Sequence, residues 1–282
     1  MAPPFSVSGF STINRSFEED LRSFAAGGAS GIGIAEFKLP DGRDAESLER
    51  FRESGLEATI CLPTLLSILP NAISAEPADP ELRVRELAGS IRRLAPFEPV
   101  VVLVLTGAQG EREPTEARAI VAEGLRELAR VAREEGLRIG LEPIHASARD
   151  EFSLVSDLPG AVDLLAEVGV DQIGIVFDTW HLWDTKDVLE HARRLAPRFP
   201  AVHVNDRRAD TRHWDDRALP GDGVIDLPRI LGALEAGGFD GWYDLEIFSA
   251  ETYPDSLLAL DPVELTRRGR AGFLRAWEAR TV

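Results

Sequence analysis

The sequence predicts an α/β fold, a single (β/α)8 or TIM barrel, on three observations. Short apolar runs without alternation recur along the chain, as expected of parallel strands covered on both faces. Each run is followed by a segment with helix start and stop signals. Four consecutive runs in the second half end in groups able to do chemistry: Glu142, Asp178, His203 and Glu246. In such a barrel every strand points its C-terminal end at one opening, where the active site is expected.

Taken in order, Phe5 to Phe10 reads as the first strand. Ser16 and Glu19 make a capping box that opens a helix through about Ala26. Gly31 to Ala35 is the second strand, ending at Glu36, and Asp44 to Glu53 the second helix, stopped near Gly55. Leu56 to Leu62 is the third strand. The segment Pro63 to Pro80, with four prolines and no clear period, reads as a long loop over the top of the fold. Glu81 to Leu94 is helical, Val100 to Leu105 is the fourth strand, and Pro114 to Glu135 is a long helix ended by Gly136.

The next four strands are Arg138 to Glu142, Gly174 to Asp178, Ala201 to Asp206 and Trp242 to Ile247. Helices follow them at Pro159 to Val168, at Asp187 to Leu195, from the N-cap Asp226 to Gly237, and from Asp261-Pro262 to about Ala279. No linker or compositional break separates the units, so residues 1–282 are read as one domain.

The bulk chemistry narrows the function. Asp and Glu number 48 against 31 Lys and Arg, a net charge of −17, which disfavours nucleic acid and anionic membranes as partners. Cys61 is the only cysteine, so neither a disulfide framework nor a zinc–thiolate site is expected. Met1-Ala-Pro-Pro-Phe-Ser lacks the basic and apolar regions of a signal peptide, and the cytoplasm is the expected compartment. The strongly apolar run Val100 to Leu105 is too short to span a bilayer.

The stretch Gly27-Gly-Ala-Ser-Gly31-Ile-Gly33 imitates a dinucleotide-binding loop. Such a loop follows a strand and opens a helix; this one follows a helix and opens a strand, so it reads as an ordinary αβ connection.

A lone acid at a strand end is more often a helix cap or a surface charge than a ligand. Four converging groups are a different case. Three ionised carboxylates in one mouth would repel each other without a cation, and three carboxylates with one imidazole suit Mn²⁺ or Mg²⁺, with Zn²⁺ and Co²⁺ also within reach. His191, among charged helix residues, and His213, in an Arg/Asp-rich loop, read as solvated. His145 follows strand five closely, but solvation is again the favoured reading.

The motifs Leu-Glu142-Pro, Phe-Asp178-Thr-Trp-His181, His203-Val-Asn-Asp206, Leu-Pro220-Gly-Asp-Gly223-Val-Ile-Asp226 and Asp-Leu-Glu246-Ile-Phe resemble the xylose isomerase-like TIM-barrel superfamily, in its sugar isomerase/epimerase branch. The resemblance spans the barrel, with its specific motifs from about residue 140 onward. It implies Glu142, Asp178, His203 and Glu246 as metal ligands, with Glu142 and Glu246 doubling as the acid/base pair. It also implies that His181 touches a substrate oxygen and that the arginine after strand seven, Arg207 or Arg208, helps hold the substrate. Manganese is the first expectation for the metal, and a homodimer is compatible with the resemblance.

The chemistry so implied is proton abstraction beside a carbonyl through an enediolate, on a small sugar or cyclitol. Return of the proton to the opposite face gives an epimer and to the next carbon an isomer. Expulsion of a β-hydroxyl gives dehydration, as in the inosose dehydratases. Trp180, Trp183 and Trp214 are candidate walls for stacking on a sugar face, with core packing the equal alternative for each. Glu36, Lys38, Thr106 and Gln109 are candidate hydroxyl contacts, and no glycine-rich loop or lysine cluster marks a phosphate site. Two rival classes carry less weight. An endonuclease IV-type enzyme needs more than five histidines and a basic groove. A non-catalytic sugar-binding barrel would have no use for two proton-transfer glutamates.

Overall fold

The computed structural model describes residues 2–281. Eight parallel strands form the barrel: β1 (Phe5–Ser8), β2 (Gly31–Gly33), β3 (Glu57–Ala58 and Ile60–Cys61), β4 (Val101–Val104), β5 (Ile139–Leu141), β6 (Gly174–Ile175 and Phe177–Asp178), β7 (Ala201–Val204) and β8 (Trp242–Leu245). Each pairs with the next, and β8 returns to β1 through Val7 opposite Leu245, which closes the ring. β3 and β6 each break for one residue, Thr59 and Val176. The ladder runs on through both, because Thr59 donates to Ile32 O at 2.9 Å and Val176 to Leu141 O at 2.9 Å.

Helices form where the sequence signals them. Ser16 Oγ accepts from Glu19 N at 3.2 Å while Glu19 Oε2 accepts from Ser16 N at 2.8 Å, opening the helix Phe17–Gly27. Gly28, at φ +92°, closes it in a conformation that favours glycine. The helix Pro114–Glu134 buries Ala117, Val121, Leu125, Leu128 and Ala132, one stripe at three- and four-residue spacing. These stripes cover the outside of the barrel, and a second apolar layer including Ile60, Val101, Leu103, Val176 and Ala201 fills its inside.

Strand alternation then decides what faces inward. On β8, Tyr243 and Leu245 pack with the outer layer, and Tyr243 lies 4.9 Å from the Phe273 ring. Asp244 and Glu246 have the opposite parity and face inward, as does His203 on β7, which is paired with Asp244.

Some local features differ from expectation. The first strand stops at Ser8, because Ser8 Oγ accepts from Phe10 N at 3.3 Å and turns Gly9–Thr12 into a 3-10 helix. The 63–80 loop lies over the mouth and is pinned by buried Arg83. Its guanidinium donates to the carbonyls of Ser67, Ser74 and Pro77 at 2.9 to 3.1 Å. After β7 the chain makes a short antiparallel ladder, Asp206–Arg207 against Arg217–Ala218. No helix among the described residues is long and apolar enough to cross a membrane.

Candidate metal centre

Glu142, Asp178, His203 and Glu246 meet at the C-terminal mouth, each offering one ligand atom within 4.8 Å of the others, and all four are buried. Glu142, Asp178 and Glu246 stand at or just beyond a strand end and His203 one residue inside one, so the barrel's register brings them together. His203 Nδ1 lies 2.8 Å from Glu142 Oε1, 3.5 Å from Glu246 Oε2 and 3.8 Å from Asp178 Oδ2. Asp178 is held rigidly: Oδ1 accepts from Trp180 N at 2.6 Å and from Asn205 Nδ2 at 3.2 Å, while Oδ2 accepts from Arg217 Nη1 at 2.8 Å.

Charge sets the protonation. Burial pushes Glu142 up to about 7, against the opposing pull of His203. Burial also works to raise Asp178, but Arg217, His181 and His203 outweigh it and hold the acid down to about 2. Burial would neutralise His203, yet the charges of Glu246 and Glu142 lift it to about 10. An imidazole nitrogen ringed by three carboxylates requires a positive charge, either its own proton or a cation in its place. The donor set, three hard oxygens and one imidazole, therefore fits a divalent ion.

Behind the imidazole, His203 Nε2 and Asp244 Oδ2 face each other at 3.6 Å, and both are buried without another partner. Asp244 Oδ1 accepts from Ser6 Oγ and, at 3.2 Å, from Thr59 Oγ1. A hydrogen on Nε2 directed at this carboxylate leaves Nδ1 facing the ligand oxygens, the arrangement by which an outer carboxylate fixes a metal-binding histidine.

His181 lines the same cavity. Its Nδ1 accepts from His145 N at 3.1 Å, and burial lowers the ring to about 3, so the neutral ring carries its hydrogen on Nε2. Nε2 lies 3.1 Å from Arg217 Nη2. Two donors presented together in one wall suit an oxygen of a bound molecule.

Arg217 is the residue the sequence reading missed. It is buried, and its Nη1 also reaches Glu246 Oε2 at 3.1 Å. Asp206 fixes the loop that carries it, accepting from the backbone N–H of Gly221, Gly223 and Ile225 at 2.9 to 3.1 Å. A Cβ at Gly223 would fall 2.3 Å from Asp206 Oδ1, so only glycine fits there. The available signal was the glycine turn Pro220-Gly-Asp-Gly223 just after Arg217.

The other expected contacts divide between the cavity wall and positions away from it. Arg207 stacks over Trp183 at 5.6 Å, and Arg208 pairs with Asp216 at 2.9 Å and Asp255 at 3.0 Å. Neither lines the central cavity, whereas Trp214 does. Trp180 is buried edge-on to His145 and His181, with ring centroids 5.2 and 5.3 Å away. Glu36 accepts from Thr64 N at 2.8 Å, and Lys38 is tied to Asp20 at 2.5 Å. Thr106 Oγ1 accepts from Leu154 N at 2.7 Å, and Gln109 Nε2 donates to Arg112 O at 3.0 Å.

Over 137 residues the chain is 31% identical to an inosose isomerase of Bacillus velezensis, a match covering 47% of each chain. Over 169 residues it is 29% identical to an inosose dehydratase of Histophilus somni, covering 54% of this chain and 52% of the other. The chain thus spans about half the length of the curated relatives it matches. Among solved structures, the IOLI protein with a bound zinc atom superposes with a TM-score of 0.81 over 99% of both chains at 19% identity, a likeness of fold. The family model described as xylose isomerase-like TIM barrel matches residues 9–277, and the chain belongs to that family.

Proposed function

We propose that this protein is a divalent-metal-dependent isomerase or epimerase that moves a proton beside the carbonyl of a small ketose or cyclitol ketone. The observation that carries this reading is the pair Glu142 and Glu246, both within 3.5 Å of one imidazole nitrogen in a buried, four-donor centre. The two relatives named for chemistry on inososes support the substrate class.

Glu142, Asp178, His203 and Glu246 would hold the ion. Its donor set favours Mn²⁺, and the zinc of the IOLI structure makes Zn²⁺ the alternative. When bound, the ion supplies Lewis-acid stabilisation of the negative charge that develops on the carbonyl oxygen.

The remaining steps belong to the side chains. One glutamate takes the proton from the carbon between carbonyl and hydroxyl, and the C–H electron pair becomes the C=C bond of the enediolate as the carbonyl π pair moves onto oxygen. The other glutamate returns a proton, to the opposite face for epimerisation or by way of the neighbouring carbon for isomerisation. Arg217 and His181 donate to substrate oxygens and hold the reacting carbon between the two acids. The dehydratase relative favours a second reading on the same site, in which a β-hydroxyl takes up a proton and leaves as water.

The test is solvent exchange. Metal-loaded protein in D₂O with a panel of ketoses and inososes is expected to place deuterium beside the carbonyl, and a chelated control is expected to place none. The labelled product separates epimer, isomer and dehydrated ketone. Tight metal binding without exchange on any member would leave two readings, a substrate outside the panel or a barrel that binds without turning over.

A further inference from the structure

The walls around this site do not match a bare polyol. Among the described residues, the central cavity has polar side chains only at Glu142, His181, Arg217 and Glu246, apart from the Trp214 indole N–H, which is buried without a partner. The rest of the wall is hydrocarbon or aromatic ring, including Leu66, Ile73, Leu105 and Phe248. A second cavity of about 380 Å³ opens outward from it, sharing Leu66, Ile73, Trp214 and Phe248. A ring of hydroxyls placed here would give up its water hydrogen bonds without replacement beyond the floor, which is costly.

Among the described residues, four polar side chains stand along the outer cavity, Thr64, Ser74, Asp215 and Ser249, and the last three have partners. Asp215 accepts from Tyr253 OH at 2.8 Å, Ser249 Oγ pairs with Ser256 Oγ at 3.2 Å, and Ser74 Oγ donates to Glu76 O at 3.4 Å. What is continuous is an aromatic strip. Phe37 meets Phe10 at 5.3 Å, Phe10 meets Phe248 at 5.5 Å, Phe248 meets Trp214 at 5.6 Å, and the Arg217 guanidinium lies 4.6 Å over Phe248. The strip leads from the surface to the residue that contacts Asp178 and Glu246.

At its outer end stand Ile13, Phe37 and Ile73, three of the five large hydrophobic side chains left exposed among the described residues. Exposed apolar surface gathered in one concave place marks a binding groove rather than ordinary surface scatter.

We propose that the substrate carries an apolar substituent, an aromatic or branched hydrocarbon group attached to the α-hydroxy-ketone head, and that this groove is its subsite. The proposal rests on the enolising reading and names the substrate class of that same site. The occupant is the substrate rather than a partner protein, because the groove adjoins the cavity that holds Glu142, Arg217 and Glu246 and shares Leu66, Ile73, Trp214 and Phe248 with it.

The experiment pairs two ketones with one head, hydroxyacetone (methyl) and 2-hydroxyacetophenone (phenyl), beside an inosose as the bare polyol. Binding to the metal-loaded protein is measured by calorimetry, and deuterium exchange is followed separately. The phenyl ketone is expected to bind at least tenfold tighter than either of the others. Ile13→Ser and Phe37→Ser, both exposed and away from the floor, should cut that preference severalfold and leave hydroxyacetone unchanged. Equal binding of the three, or tighter binding of the inosose, overturns the subsite even if all exchange deuterium, and the enolising reading then stands. A phenyl preference without exchange upholds the subsite and removes the enolising reading. Rim variants that change the sedimentation of the protein but not the preference assign the groove to a second copy of the chain and overturn the proposal.

Discussion

The two halves of the barrel contribute opposite things to one opening. β1 to β4 run out into Gly9-Phe10, Ile34-Ala35, Leu62 and Leu105, all buried and apolar or small. β5 to β8 run out into Glu142, Asp178, His203 and Glu246. The second half holds the charges that can move a proton, and the first half, with its loops, supplies apolar wall that joins Trp214 and Phe248 of the second. Buried acids accordingly mean different things in the two halves. Asp20, in the first, is answered by Lys38 and Thr12 Oγ1 and lies outside the cavity; Glu246, in the second, is aimed into the cavity beside a cationic side chain. Chemistry and selectivity should therefore be separable by mutation.

The largest effect is expected from breaking the chemical half. Glu246→Gln keeps the shape and the hydrogen bond to Arg217 but removes the proposed base and one anionic donor to the metal, so exchange is compared at saturating metal. Exchange with solvent should fall by about 10²–10⁴-fold, the usual weight of a positioned acid or base. Thermal unfolding should change little, since Gln keeps the volume and the hydrogen bond to Arg217. A variant that still exchanges at the parental rate would remove Glu246 from the proton-transfer pair.

In the wall-building half a charge change should cost stability and spare chemistry. Lys38 Nζ donates to Asp20 Oδ2 at 2.5 Å and to Thr12 O at 2.7 Å, and both charges are out of solvent. Lys38→Met strands a buried carboxylate, and breaking a buried pair in this way costs about 3–5 kcal/mol. Replacing both partners with apolar residues should recover most of that loss. Burial already raises Asp20 to about 6 despite Lys38. An acid whose folded pKa is raised contributes stability that is fully present below its unfolded value and is lost as pH rises through the folded one. The gap between Lys38→Met and the parent should therefore be widest near pH 8 and narrow below about pH 6, where Asp20 is protonated. Urea titrations at several pH values measure it, and a gap independent of pH would show that Asp20 is not the group left stranded.

This contrast also explains what could be read from the sequence. Glu142, Asp178, His203 and Glu246 were legible because each lies at or near the end of an apolar run, and a closed barrel aligns such ends without any knowledge of side-chain contacts. The helix Phe17–Gly27 was legible because its capping box and terminal glycine are local signals. Arg217 was not, because it sits ten residues past Arg207 in a loop folded by one carboxylate accepting backbone hydrogens, a long-range arrangement with no periodicity to betray it. Lys38 misled for the same reason: its position after β2 suggested the mouth, but a buried partner on a neighbouring helix captured it. Asp244 hid in plain sight, since alternation put it inside the barrel but nothing in the sequence said that it would face the free nitrogen of His203.

That last residue supplies the smallest and most specific way to sharpen the comparison. Asp244 lines neither of the two cavities described above, yet its free oxygen lies 3.6 Å from His203 Nε2, a few tenths of an ångström beyond hydrogen-bond range. Gly33 leaves it the room, because a Cβ there would fall 3.0 Å from Asp244 Oδ2. Asp244→Asn keeps the volume and replaces a charged acceptor with a neutral one, so His203 should lose orientation and basicity rather than position. Metal affinity is expected to weaken by about 10- to 100-fold, the usual cost of removing a partner behind a histidine ligand. Turnover at saturating metal should fall less, and the unfolding temperature should hardly move. Nitrogen-15 shifts of the imidazole distinguish this role from a merely structural one. In the parent the Nε2–H form should dominate once metal is bound, and in the variant that spectrum should return only at higher metal concentration. Unchanged affinity with an unchanged imidazole spectrum would mean that the barrel orients His203 by packing alone, and that the chemical half reaches no deeper than its four ligands.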